Sequence, residues 1–189
     1  MSVSYHGMVY TLSLSMASFS EYCEQLAVHL KCVYGVDVVI RHLRAPFLGD
    51  LDGSEIHIDQ STAPEQRLFL MAHLFGHTVQ WNVNHKAQEL GRLHCPPVGQ
   101  DLLPGIVQYE WEAARFGLKA LHQAGISHLD QWFSDHSAAD VAYLAHYYRT
   151  GDKLDFQSFS KANCPLIEET PIPQFTPTKK AFRAEGLVI

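Results

Sequence analysis

His73 and His77 stand four residues apart in the run LFLMAHLFGHTVQW. On a helix that spacing stacks the two imidazoles on one face, about one turn apart, and two histidines so placed can share one tetrahedral zinc ion. The residues around them are almost all apolar. A buried imidazole in such a setting needs a metal, a carboxylate or a backbone group as partner. Carboxylates come from Glu110 and Glu112 in the later run QYEWEAARFGLKAL. Two histidines and one glutamate, with the fourth position open to water, form a common catalytic zinc arrangement. The same three residues also fit a metal-free cluster held by hydrogen bonds, and the spacing alone does not choose between the two. Glu110 and Glu112 lie two positions apart and so point to different sides of their helix, so that one of them can meet the pair while the other is an auxiliary candidate.

These side chains need elements to hold them. Residues 18–34 space Tyr22, Leu26, Leu30 and Val33 at helical intervals, with Ser18 or Ser20 available as N-cap. VDVVIRHL is rich in β-branched residues, and FLGDLDGSEIHID is divided by Asp52-Gly53, a turn signal, so a small antiparallel sheet with a hairpin is expected. TLSLSM near the N-terminus alternates with period two and could add an edge strand. Pro64 and Glu65 suit the first turn of a helix that is apolar nearly all round and therefore central. Residues 106–124 resume helical periodicity, with Gly125 as C-cap. ISHLDQWFSDH and SAADVAYLAHYYRTG read as two further short helices, the second capped by Ser137 and stopped by Gly151. Beyond Asp155 the prolines at 165, 171, 173 and 177 favour extended chain over helix. The expected organisation is one α+β domain over residues 1–152 and an extended, proline-containing tail over 153–189.

Composition narrows the function classes. The 189 residues are 47% apolar and 18% charged, with a formal net charge of −6. That is enough apolar material for a substantial core, and no basic block suggests nucleic-acid binding. No apolar run approaches the roughly 18 residues of a membrane span, and the N-terminal stretch lacks the leading basic residues and cleavage site of a signal peptide. Cys23, Cys32, Cys95 and Cys164 are scattered without a metal-binding or disulfide pattern, so reduced thiols and a cytoplasmic location are expected. Most of the twelve histidines stand alone and are expected to be ordinary residues. His57 reads as a strand residue facing solvent, and Cys95 beside His94 as a loop thiol. Trp81, Trp111, Phe75 and Phe116 read as core, and Lys179, Lys180 and Arg183 as a solvated tail.

The order of helix, small sheet, RLFLMAHLFGH helix and EWEAARFGLKAL helix resembles the ImmA/IrrE-like zinc metallopeptidases over residues 18–150. In that family an Arg and a short apolar run ending in Ala precede an H-E-x-x-H helix, and the first glutamate of a later E-x-x-A-N-x-F-A helix is the third ligand. The matching positions are His73, His77 and Glu110, with Ala113 and Phe116 in register. The resemblance implies a zincin-like fold with a buried active-site helix pair, a zinc cofactor, and a protein or peptide partner such as a helix-turn-helix regulator. Two positions depart from the pattern: Ala114 stands where the family commonly has Asn, and Leu74 stands where it has the catalytic glutamate. That glutamate exchanges protons with zinc-bound water and the leaving amine, work that typically contributes ~10²–10⁴-fold. Leucine has no proton to exchange. The sequence therefore implies either a metallopeptidase with weakened or lost hydrolysis or a non-catalytic pseudo-peptidase serving as a zinc-binding sensing or protein-binding module in a regulatory or mobile-element system. A third reading, in which the helix pair is scaffold only, predicts no bound metal.

Overall fold

The structure is a computed structural model that describes residues 18–45, 47–91 and 96–180. TLSLSM and the His94-Cys95 pair lie outside the described residues. The first helix, α1 (Phe19–His29), begins where Ser18 and Glu21 form a reciprocal capping box, a device that satisfies two orphan N–H groups at once. It continues into a single π-type turn, Leu30–Tyr34, and the chain then enters β1 (Asp37–Arg41).

β2 (Gly49–Leu51) and β3 (Glu55–Asp59) form the hairpin expected at Asp52-Gly53, paired antiparallel. The Asp52 carboxylate closes the turn by accepting from the Ser54 and Glu55 N–H groups and the Ser54 hydroxyl. The sheet as a whole is mixed rather than antiparallel: its order is β1-β3-β2, and β1 runs parallel to β3. The connection after β1 carries the chain across to the far edge of β3, so the hairpin returns β3 in the direction of β1. Asp59 anchors that connection by accepting from the Leu43 N–H at 2.6 Å while its own N–H donates to the Leu48 carbonyl.

The central helix α2 (Pro64–Val83) starts on a proline and is buried along most of its length. A short helix α3 (His85–Leu90), capped by the Asn84 side chain, follows. Then come α4 (Leu103–Gln123) and α5 (Asp130–Thr150). The two short helices expected between Ile126 and Gly151 are thus one continuous helix. Ser137, read as a cap, is instead fully buried in its middle, where a small side chain fits against neighbouring elements. Gly125 (φ +84°) and Gly151 (φ +80°) end α4 and α5 in the left-handed conformation common after a helix C-terminus. One core, built on Leu26, Leu30, Ile56, Ile58, Leu68 and Phe75, lies between α1, the sheet and α2 and extends to α4 and α5. A second cluster joins Ile106 to Tyr143, Leu144 and Tyr148.

α2 and α4 touch backbone to backbone. A Cβ on Gly76 would lie 2.0 Å from the Ala113 carbonyl oxygen, and one on Gly117 would lie 2.6 Å from that of Ala72. Neither distance leaves room for a methyl group. After α5 the chain is extended apart from one 3-10 turn at Phe156–Phe159, and it lies over the domain. Ile167, Ile172 and Phe175 pack on the main core, Thr170 donates to the Arg115 carbonyl, and Lys180 donates to that of Asp52. Among the described residues no helix is long and apolar enough to cross a membrane, and Cys23, Cys32 and Cys164 are free thiols.

Two measurements test this architecture. Gly76→Ala forces the helices apart against backbone and is expected to cost at least ~3 kcal/mol, above the usual overpacking range; a urea midpoint equal to that of the parent would contradict the close crossing. The Ser61 hydroxyl, the Leu43 N–H and the Ser61 N–H hold the Asp59 carboxyl down at about 2, against about 3.9 in an unfolded chain. A depressed carboxylate stabilises the fold above the unfolded value and loses that contribution as pH falls through the folded one. The thermal midpoint should therefore drop as pH falls from about 4 to about 2, and Asp59→Asn should lower it at neutral pH while flattening that acid slope.

Candidate metal centre

His73, Gly76, His77 and Gln80 form one stripe of α2, and Glu110, Ala113, Ala114 and Gly117 form a stripe of α4 with the same helical spacing. The small residues let the backbones approach, and the polar ones meet beside them. His73 Nε2 and His77 Nε2 are 2.9 Å apart, and each is 3.1 Å from Glu110 Oε2. All three residues are buried. Their rings and chain are held by neighbours: His73 stacks on Phe69 with centroids 5.5 Å apart, and His77 stacks on Tyr109 at 4.4 Å.

The hydrogen-bond network fixes the tautomer of His77. The Gln80 amide nitrogen donates to the Tyr109 carbonyl at 2.8 Å and to Glu112 Oε2 at 2.7 Å. Both of its hydrogens are then committed, and the carbonyl end of Gln80 faces His77 Nδ1 at 2.9 Å. Nδ1 therefore carries the hydrogen, and in the neutral ring Nε2 presents a lone pair to the cluster. Glu110 Oε2 presents another. A single hydrogen on His73 Nε2 cannot satisfy three mutual contacts, and a second proton on His77 would add a charge in a buried site. One cation accepts from all three atoms at once, so His73, His77 and Glu110 can hold a metal ion. Glu112, read as pointing elsewhere, does not reach the cluster itself but fixes Gln80 and through it His77, a tie of the kind that orients metal ligands.

Electrostatics divides the carboxylates. Burial raises the Glu110 pKa, but His77 and His73 outweigh it and hold the group well below the usual glutamate range. Asp140 of α5 is fully buried, and burial pushes its pKa upward despite His73, with Glu110 adding to the rise. Its Oδ2 lies 3.5 Å from His73 Nε2. Sequence reading missed both Asp140 and Gln80. A signal for Asp140 existed: it falls on the helical face of Phe133, Ser137 and Leu144, all buried.

Leu74 is half-buried and packs toward the sheet, where its Cδ1 would lie 2.8 Å from a Cβ placed on Gly49. His57, expected to face solvent, is buried. It sits on the central strand opposite Asp50, covered by Arg41 at 3.1 Å and Glu55 at 3.1 Å. With Asp52 and Glu55 it makes a second cluster of ligand-type atoms, but that cluster already faces Arg41 and, at 3.1 Å from Asp52, Lys179. Trp81, Phe75 and Phe116 are core as expected. Trp111 is only half-buried and lines an apolar cavity of about 370 Å³ with Ala138, Ala142, Phe159, Cys164 and Pro165.

Gln80→Leu keeps the volume but removes the acceptor at His77 Nδ1. Affinity for a first-row divalent metal should fall ~10–100-fold, the usual effect of losing such a partner, measured by competition with a chromophoric chelator. An unchanged affinity would show that Gln80 does not orient the ring.

Comparison of the chain with known protein families, with curated proteins and with solved structures finds no match.

Proposed function

We propose that this chain is a zincin-like, ImmA/IrrE-type domain that binds zinc through His73, His77 and Glu110, and in which peptide hydrolysis is weakened or lost. The observation that carries this reading is the meeting of two imidazole nitrogens and one carboxylate oxygen within 3.1 Å of one another on a buried helix pair, beside a leucine. Nitrogen and carboxylate donors in that number suit zinc. The family pattern supports the assignment through Ala113 and Phe116, which are buried on α4 in the expected register.

Bound zinc would supply a Lewis acid and, with an open position, an acidified water. The chain's own residues account for binding and orientation: Gln80 and Glu112 set the His77 ring, Phe69 and Tyr109 flank the two imidazoles, and Glu110 supplies the negative charge. Leu74 moves no proton. The role that remains is that of a pseudo-peptidase, a zinc-binding module whose partner is a protein or peptide, such as a helix-turn-helix regulator in a regulatory or mobile-element system.

The test is metal analysis joined to a cleavage assay. The purified protein should hold one zinc per chain, His77→Ala should lose it, and zinc should raise the thermal midpoint. Cleavage of unstructured protein substrates should stay at least ~10²-fold below that of an enzyme with its base in place. Robust cleavage abolished both by chelator and by His73→Ala would establish an active peptidase instead. A folded protein that takes up no zinc would leave the helix pair as scaffold.

A further inference from the structure

The extended C-terminal segment is held at its middle by charge rather than by apolar contact. On one side Ile167 packs on the core, and its N–H donates to the Ser134 hydroxyl at 3.0 Å. On the other, Ile172 and Phe175 pack on the same core, with Phe175 stacked on Tyr34 at a centroid distance of 5.8 Å. Between these anchors the chain meets α4 through Glu169. One Glu169 oxygen accepts from Lys119 Nζ at 2.6 Å, and the other lies 2.5 Å from His122 Nδ1. The second ring nitrogen, Nε2, lies 2.8 Å from Asp130 Oδ1.

A neutral imidazole has one N–H and one lone pair, so it can donate to only one of two carboxylates and sets its lone pair against the other. The imidazolium donates to both. His122 lies in the last turn of α4 and Asp130 in the first turn of α5, and a cation at a helix C-terminus and an anion at a helix N-terminus both agree with the helix dipoles. Among the described residues the charged groups against the ring are Asp130, Glu169 and, sharing Glu169, Lys119. Partial burial works against a charge on His122, but Asp130 and Glu169 outweigh it and raise its pKa. Lys119 first, and then His122 against partial burial, hold Glu169 below the usual glutamate range.

We propose that His122 is a protonation-dependent clasp: as the imidazolium it fastens the extended C-terminal segment to the corner of α4 and α5, and as the neutral ring it lets that segment loosen between Ile167 and Ile172. This stands apart from the metal reading, since His122 is about 18 Å of helix away from Glu110. A group with a raised folded pKa contributes stability that is fully present below its unfolded value, about 6.5 for His, and lost as pH rises through the folded value. Glu169, depressed, contributes above about 4.3 and loses that contribution as pH falls. The clasp is therefore closed between the two titrations, opening on the alkaline side through His122 and on the acid side through Glu169.

Two readings on the full chain test this. Long-range proton–nitrogen NMR follows the His122 ring, and amide hydrogen exchange, referred to the intrinsic rate at each pH, follows Ile167 and Thr170, whose N–H groups donate to Ser134 Oγ and the Arg115 carbonyl. His122 should titrate above about 6.5, and protection of the two amides should fall across that same titration while α2 and α4 keep theirs. Glu169→Gln should lower the His122 pKa and remove the pH step in protection. Because the coupling is reciprocal, each unit of that lowering should match about a tenfold loss of protection in the parent on deprotonation. A parent His122 that titrates at or below about 6.5 would overturn the proposal, and neither this arm nor the exchange arm needs a variant to fold. Protection unchanged across a raised titration would overturn it as well, and so would a pH step that persists in Glu169→Gln.

Discussion

The backbone contact between α2 and α4 is the constraint from which the rest of the molecule follows. Gly76 lies against the Ala113 carbonyl and Gly117 against that of Ala72, so the two helices cross at a distance only small residues allow. Interhelical distances are ordinarily set by the side chains between them, and here those side chains are nearly absent. Short reach is what the site needs. An imidazole and a glutamate extend only a few ångströms from their backbones, and their atoms meet at 3.1 Å because the helices carrying them are already touching. A bulkier pair would hold the same motif residues apart.

The cost of this arrangement is polarity in the middle of the protein. His73, His77, Gln80, Glu110 and Asp140 are all buried, and each such group must be paired or charge-balanced to be tolerated. The network resolves most of them in order: Glu112 and the Tyr109 carbonyl hold Gln80, Gln80 holds His77, and His77 with His73 holds Glu110. Two atoms sets stand outside that order, His73 Nδ1 and the Asp140 oxygens, which find no hydrogen bond among the described residues. The chain of partners thus ends at the centre itself, on the side of α5. A fully satisfied buried network specifies one packing, whereas a partly satisfied one leaves the structure dependent on whatever completes it.

What could be read in the sequence was what depends on period along one element. The histidine pair, the hairpin at Asp52-Gly53 and the proline start of α2 all follow from local spacing, and the family resemblance picked Glu110 over Glu112 as the partner of the pair. What escaped depends on which element lies opposite. The direction of β1 is set by a connection that crosses the sheet, and no pattern within VDVVIR encodes it. His57 alternates toward solvent in its strand, yet Asp50, Arg41 and Glu55 from three places in the chain cover it. Ser137 looked like a cap because serine favours that position, but a small hydroxyl residue serves equally well at a tight buried contact. Asp140 was passed over as one polar residue in an alanine-rich run. Its meaning appears only when α5 is placed against His73.

Leu74 gains its sense from the same packing. On α2 it turns away from α4 toward the sheet, where Gly49 leaves a seat for its methyl groups. A glutamate in that seat would set a carboxylate against the sheet in place of this apolar contact, at a cost in desolvation. The leucine and the glycine beneath it form an apolar contact between α2 and the sheet, and they leave no proton-accepting group at this position of the helix.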